Sequence, residues 1–202
     1  MSAILVLVRH GRTEANAEGI WHGSIDTPLS PHGHEQARQV ASYIAAEHGD
    51  AAALYSSPLQ RARNTALAIA ERTGLEVALE TGLSEYDLGS WEGKTYRELF
   101  DEHRMFHHIK TDPDFAPHGG ESPRQVVDRL VGALRRIAER HAGQRVVAVS
   151  HGGAMTMAFA ELLEGSYSSW DRVMSNCGVS ELVLDPKPAL LSFDHTEHLS
   201  DL

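Results

Sequence analysis

Residues 3–8 form an unbroken run of alanine, leucine and β-branched side chains, which predicts a strand buried on both faces and therefore central in a sheet. Ser30-Pro31 then supplies an N-cap and an N1 proline. Behind them Ala37, Val40, Ala41, Ile44 and Ala45 recur at helical spacing, with Gly49 as the stop. After the short apolar run 52–55, Ser57-Pro58 predicts a second helix start, with Leu59, Ala62, Ala66, Ile69 and Ala70 facing inward and Gly74 closing it. Residues 76–79 read as a short strand. Ser122-Pro123 opens a third helix on the stripe Val127, Leu130, Val131, Leu134, Ile137 and Ala138. Residues 145–149 predict the next strand and 153–163 the next helix. Finally 179–184 and 189–193 flank Asp185-Pro186-Lys187-Pro188, which reads as a turn between two strands.

Strands and helices thus alternate until a closing hairpin. That order predicts an α/β fold, a three-layer α/β/α sandwich whose sheet is mostly parallel with one antiparallel strand. Residues 84–121 break the rhythm and are rich in Gly, His and Asp. They are expected to be a lid-like insertion over the carboxyl ends of the strands. The whole chain, 202 residues, is read as a single domain of ordinary size.

Composition narrows the picture. Apolar residues make up 42% and charged residues 23%, a globular balance without low-complexity arms or internal repeats. Cys177 is the only cysteine, so no disulfide framework can form and a reducing, cytoplasmic setting is expected. The apolar run 4–8 is too short for a signal peptide core, and no later stretch approaches membrane-spanning length. A net charge of −10 speaks against nucleic-acid partners. It leaves open a small anionic substrate held by a local arginine cluster, and it leaves a homodimer open.

Candidate chemistry lies at two strand ends. Val8-Arg9-His10-Gly11 puts an arginine and a histidine where open α/β sheets bind ligands. Val149-Ser150-His151-Gly152-Gly153 repeats the arrangement, and its glycines open a helix whose unpaired N–H groups suit an anion. Arg61 lies early in the helix after Ser57-Pro58 and, with Arg9, supplies planar donors matched to phosphate oxygens. Any one of these residues alone is as readily structural, Arg61 no more than Arg63. His103 with His107, and His108 with Asp112, have metal-ligand spacing, but exposed polar insertions gather such residues without binding anything, and neither metal nor cofactor is expected. His32 and His34 read as solvated helix-start residues.

Four blocks together resemble the histidine phosphatase superfamily, in its phosphoglycerate-mutase-like branch. They are Arg9-His10-Gly11-Arg12-Thr13 with Asn16, then Ser57-Pro58-Leu59-Gln60-Arg61-Ala62 with Thr65-Ala66, then residues 85–93 around Glu85 and Glu92, then Ser150-His151-Gly152-Gly153. They stand in the family's order and span nearly the whole chain. The resemblance implies that His10 is the nucleophile, that Arg9, Arg61 and His151 hold the phosphoryl oxygens, and that Asn16, Thr13 and the Gly152 amide assist. It implies Glu85 as the group that protonates the leaving oxygen, with Glu92 more akin to a loop cap. His22 and the segment 117–122, including Glu121 and Ser122, match positions of substrate contact.

Such residues suit metal-free phosphoryl transfer. Fixed guanidinium groups stabilise charge on the equatorial oxygens, and the same charges keep His10 neutral and nucleophilic. A phosphohistidine then divides one difficult step into two. Water accepts the phosphoryl group in a phosphatase and a second hydroxyl accepts it in a mutase. The insertion offers only Lys94, Arg97, Arg104 and Lys110 before Arg124, which favours hydrolysis over a cofactor-dependent phosphoglycerate mutase. A non-catalytic phosphate-binding regulator is the alternative of another class. Candidate substrates implied by the family are phosphoserine, phosphorylated sugars or glycerates, and a nucleotide-loop phosphate of cobalamin synthesis.

Overall fold

A computed structural model of the chain describes residues 2–116, 119–169 and 171–199. Six strands form one sheet in the order β3-β2-β4-β1-β5-β6. They are β1 (Ile4–Arg9), β2 (Ala53–Ser56), β3 (Val77–Leu79), β4 (Arg145–Ser150), β5 (Val179–Val183) and β6 (Ala189–His195). The pairs β1–β4, β2–β4 and β2–β3 are parallel, while β5 is antiparallel to both β1 and β6. Only β5 therefore runs against the rest, as the closing hairpin predicts.

The helices are α1 (Glu14–Glu18), α2 (Pro31–Glu47), α3 (Gln60–Thr73), α4 (Met105–Thr111), α5 (Pro123–Arg140) and α6 (Gly152–Glu164). Alternation along each central strand separates two cores. Val6, Val8, Leu54, Val147 and Val149 face α2 and α3 through Val40, Ile44, Ala62, Ala66 and Ile69. Leu5, Leu7, Tyr55, Val146 and Ala148 face the other side, where α5 and α6 supply Leu130, Leu134, Ala154 and Phe159. Three layers result. No helix among the described residues is long and apolar enough to cross a membrane.

Two of the three expected Ser-Pro starts are helix caps. Ser30 accepts from the Gly33 amide, and Ser122 with Gln125 forms a reciprocal capping box at α5. Ser57 is not a cap. Helix α3 begins at Gln60 behind Leu59, and the Gln60 amide is satisfied from outside the helix by Asp26 Oδ1 at 2.6 Å. The Ser57 hydroxyl is engaged elsewhere, 2.8 Å from His151 Nε2. Gly49 lies one residue past the His48 C-cap of α2, and Gly74 closes α3 in the left-handed conformation at φ 73°.

Candidate active site

Register decides where the two histidines go. β1 and β4 pair with Arg9 opposite Ser150, so the next residues, His10 and His151, emerge side by side with ring centroids 5.0 Å apart. The backbone continues the match, since the His10 amide donates to the Ser150 carbonyl and the Ser57 amide to that of Val149. Three adjacent strand tips thereby deliver His10, His151 and Ser57 to one spot.

His10 is buried, and its Nδ1 lies 2.7 Å from the Gly11 carbonyl oxygen. A carbonyl can only accept, so Nδ1 carries the proton and Nε2 keeps its lone pair. Burial, then Arg61 and Arg9, hold the ring well below the ordinary histidine range. His151 is depressed in the same way, by burial first and Arg61 second. Its Nδ1 accepts from Arg61 Nε at 3.2 Å, which leaves Nε2–H to donate to Ser57.

Arg61 is fully buried and sits behind the histidines, while Arg63 is exposed. Besides His151, Arg61 donates to the carbonyls of Gly23 and Ile25 at 2.6 and 2.9 Å. These bonds use three of its five N–H groups. Burial brings it down to about 10, still charged at any physiological pH. Arg9 donates through Nη1 to the Met174 carbonyl at 2.5 Å. Its Nε is buried without a partner among the described residues, a donor available to an anion. Gly152 makes room for it, because a Cβ there would stand 3.0 Å from Arg9 Nε.

Glu85 takes amides that the sequence reading offered to phosphate. Its Oε1 accepts from the Tyr86 and Ala154 amides at 2.8 and 2.7 Å, and its Oε2 from Gly153 at 3.0 Å. The carboxylate thus occupies the positive end of α6. Glu92 is a loop cap as expected, accepting from the amides of Ser24, Ile25 and Leu88.

A polar chain fixes the opposite wall. Asn16 Oδ1 accepts from the Thr13 amide, which orients the side-chain nitrogen toward His22 Nε2 at 3.2 Å. His22 Nδ1–H then faces Thr27 Oγ1 at 2.6 Å. Burial and the two arginines depress His22 to about 3. His22 stands edge-on to His10 with centroids 6.1 Å apart.

One cavity of about 510 Å³ gathers Arg9, His10, Asn16, His22, Glu85 and Gly152. Arg61 and His151, both fully buried, do not line it. Thr13, Glu121 and Ser122 do not reach this cavity. Thr13 caps α1, Ser122 caps α5, and Glu121 pairs with Arg129 at 2.6 Å. Pro117 and His118 of the same segment lie outside the described residues. Sequence reasoning missed Thr65, whose Oγ1 accepts from the Gly11 amide, and Asn176, whose Nδ2 donates to the His10 carbonyl and to Asn16 Oδ1. Thr65 stands inside a quoted block, whereas no local pattern singles out Asn176.

Known proteins resemble this chain over nearly its whole length. The family model of the histidine phosphatase superfamily (branch 1) matches residues 5–193. Phosphoglycerate mutase-like protein 4 of Arabidopsis thaliana is 40% identical over 158 residues, covering 76% of this chain and 68% of the relative. Phosphoserine phosphatase 1 of Hydrogenobacter thermophilus is 35% identical over 201 residues, 98% of this chain and 94% of the relative. The solved structure of a phosphoserine phosphatase from Entamoeba histolytica in complex with 3-phosphoglyceric acid superposes with a TM-score of 0.86 at 32% identity, covering 98% of this chain and 99% of that one.

Proposed function

Since the chain belongs to the histidine phosphatase superfamily, we propose that it hydrolyses small phosphate monoesters through a phosphohistidine on His10. The observation that carries this reading is the placement of His10, a buried ring whose Nδ1 lies 2.7 Å from the Gly11 carbonyl oxygen, so that Nδ1 holds the proton and Nε2 keeps its lone pair. Nε2 attacks phosphorus as the bond to the leaving oxygen breaks. Arg9 through its unpartnered Nε, and Arg61 through its remaining N–H groups, stabilise the charge on the transferred PO3 group. Glu85, beside Arg9 at the head of α6, gives the leaving oxygen its proton. It then takes one from the water that attacks the phosphohistidine, and inorganic phosphate departs with His10 restored. His151 acts through its contacts with His10 and Arg61, and Asn16 and His22 complete the wall.

Residues 84–121 serve as a lid in this reading, supported by the side chains from this segment that wall the cavity. Buried, unpaired Cys177 supports a reducing, cytoplasmic setting.

The test is turnover of a generic aryl phosphate with chelator present. His10→Ala is expected to lower kcat/KM by on the order of 10³-fold or more with the circular dichroism spectrum unchanged. Parental activity in that variant would sink the mechanism. With phosphoglycerate and a bisphosphoglycerate primer, free phosphate is expected to outrun isomer exchange, and the reverse order would make the protein a mutase.

A further inference from the structure

The cavity at His10 extends well past the space a phosphoryl group needs. Its volume of about 510 Å³ is that of a pocket for a whole small molecule. Phe100, Met105, Phe106, Ile109, Met157 and Tyr167 form much of the remaining wall. Phe100 stacks on Phe106 with centroids 4.2 Å apart and on Tyr96 at 5.9 Å, giving a continuous aromatic face. Phe106 is 54% exposed, an apolar ring left in water where a ligand would cover it.

Charge is scarce in this wall. Among the described lining residues, Lys110 is the one formally cationic side chain besides Arg9, and Glu85 is the one anionic side chain. Lys110 is exposed, and Glu85 already accepts three amides. A leaving group of the serine or glycerate kind brings a carboxylate, which would find one exposed lysine. Seating that carboxylate against aromatic ring faces leaves it desolvated and poorly paired. An uncharged hydrocarbon or aryl group would bury its surface there without that cost.

We propose that the alcohol portion of the substrate is bulky and apolar, aromatic by preference, and carries no carboxylate. This rests on the hydrolase reading above and adds the substrate class.

The test compares esters of primary alcohols, so that leaving-group basicity differs little: 3-phenylpropyl phosphate, ethyl phosphate, O-phosphoserine and 3-phosphoglycerate. The phenylpropyl ester is expected to exceed phosphoserine in kcat/KM by on the order of 100-fold. Phe106→Ala, at an exposed position, should raise KM for that ester about 5-fold, several times more than it raises KM for ethyl phosphate. In a second arm, titration calorimetry reads binding of 3-phenylpropylphosphonate against the phosphonate analogue of phosphoserine, with no turnover required. Equal or better use of phosphoserine or phosphoglycerate overturns the proposal, as does a Phe106→Ala variant without effect, or failure of the phenylpropylphosphonate to bind more tightly. Selective binding with no ester hydrolysed would uphold the pocket assignment and sink the hydrolase reading instead.

Discussion

A methyl group on Gly153 would lie 2.8 Å from Glu85 Oε1 and 2.9 Å from Trp21 Cη2, distances that non-bonded atoms do not sustain. Gly153→Ala is therefore expected to push the carboxylate off the head of α6 and lower kcat by about 100-fold, with melting temperature changed far less. Steady-state kinetics beside a thermal melt separates the two. Ser57 matters differently. Its hydroxyl is the partner of His151 Nε2, so Ser57→Ala strands a buried N–H and should cost about 1–3 kcal/mol in denaturant unfolding. An unchanged unfolding midpoint would mean that the His151 ring turns to another partner.

Between single residues and the fold stands the segment 22–27, which crosses the top of the sheet with little secondary structure of its own. Glu92 ties it down through the Ser24 and Ile25 amides, and the segment's Gly23 and Ile25 carbonyls in turn grip Arg61. Glu92→Ala is expected to release this segment and misplace Arg61. Activity should fall about 10-fold without Glu92 touching substrate, and amide exchange at Ser24 and Ile25 should rise by orders of magnitude. Elements of this kind mark the limit of what the sequence discloses. The caps at Ser30 and Ser122 were legible because their bonds close within three residues. Ser57 was misread because its hydroxyl serves a residue 94 positions away. Helix α1 buries no side chain, so it has no periodic stripe to read. In 84–121, order comes from rings meeting across turns, Trp91 on His103 at 4.6 Å and His108 on Phe115 at 4.6 Å, and such pairings leave no period. The strands and the paired histidines were readable because buried runs and glycine-flanked strand ends are local features. Asn176 was not, since only the folded sheet brings it to His10.

For the molecule as a whole, the three imidazoles at the site are kept neutral, and burial holds His48 and His198 below the ordinary histidine value as well. His10, His22 and His151 all titrate below the ordinary histidine value when folded, through burial and the flanking arginines. In the unfolded chain they bind protons near pH 6.5. Below that pH the unfolded state holds more protons, so stability is present above pH 6.5 and is lost as pH falls toward the folded values. The three at the site alone give a slope of up to about 4 kcal/mol per pH unit below pH 6, and His48 and His198 add to it in the same direction. Denaturant midpoints at pH 7.5, 6.5 and 5.5 should show this fall, and His22→Asn should flatten the slope by up to about 1.4 kcal/mol per pH unit. Carboxylates held low, Asp50 and Asp114 among them, titrate beneath this window. A midpoint constant from pH 7.5 to 5.5 would contradict the buried neutral rings.

The reversal of β5 has a consequence for the order in which the molecule is made. Because β5 runs opposite to β1, it is the beginning of β5 that arrives at the tip of β1. Its approach brings the Met174 carbonyl to Arg9, the Asn176 amide to His10 and the Cys177 N–H to the Arg9 carbonyl. During synthesis β1 leaves the ribosome well before both its neighbours, β4 and β5, which follow β2 and β3 in the chain. A nascent chain halted before residue 174 exposes the flank of its most apolar strand to pairing with other chains. It also lacks the clasp on its own nucleophile, so catalytic competence should appear abruptly once residues 174–183 have joined the sheet, and not accumulate as the polypeptide lengthens.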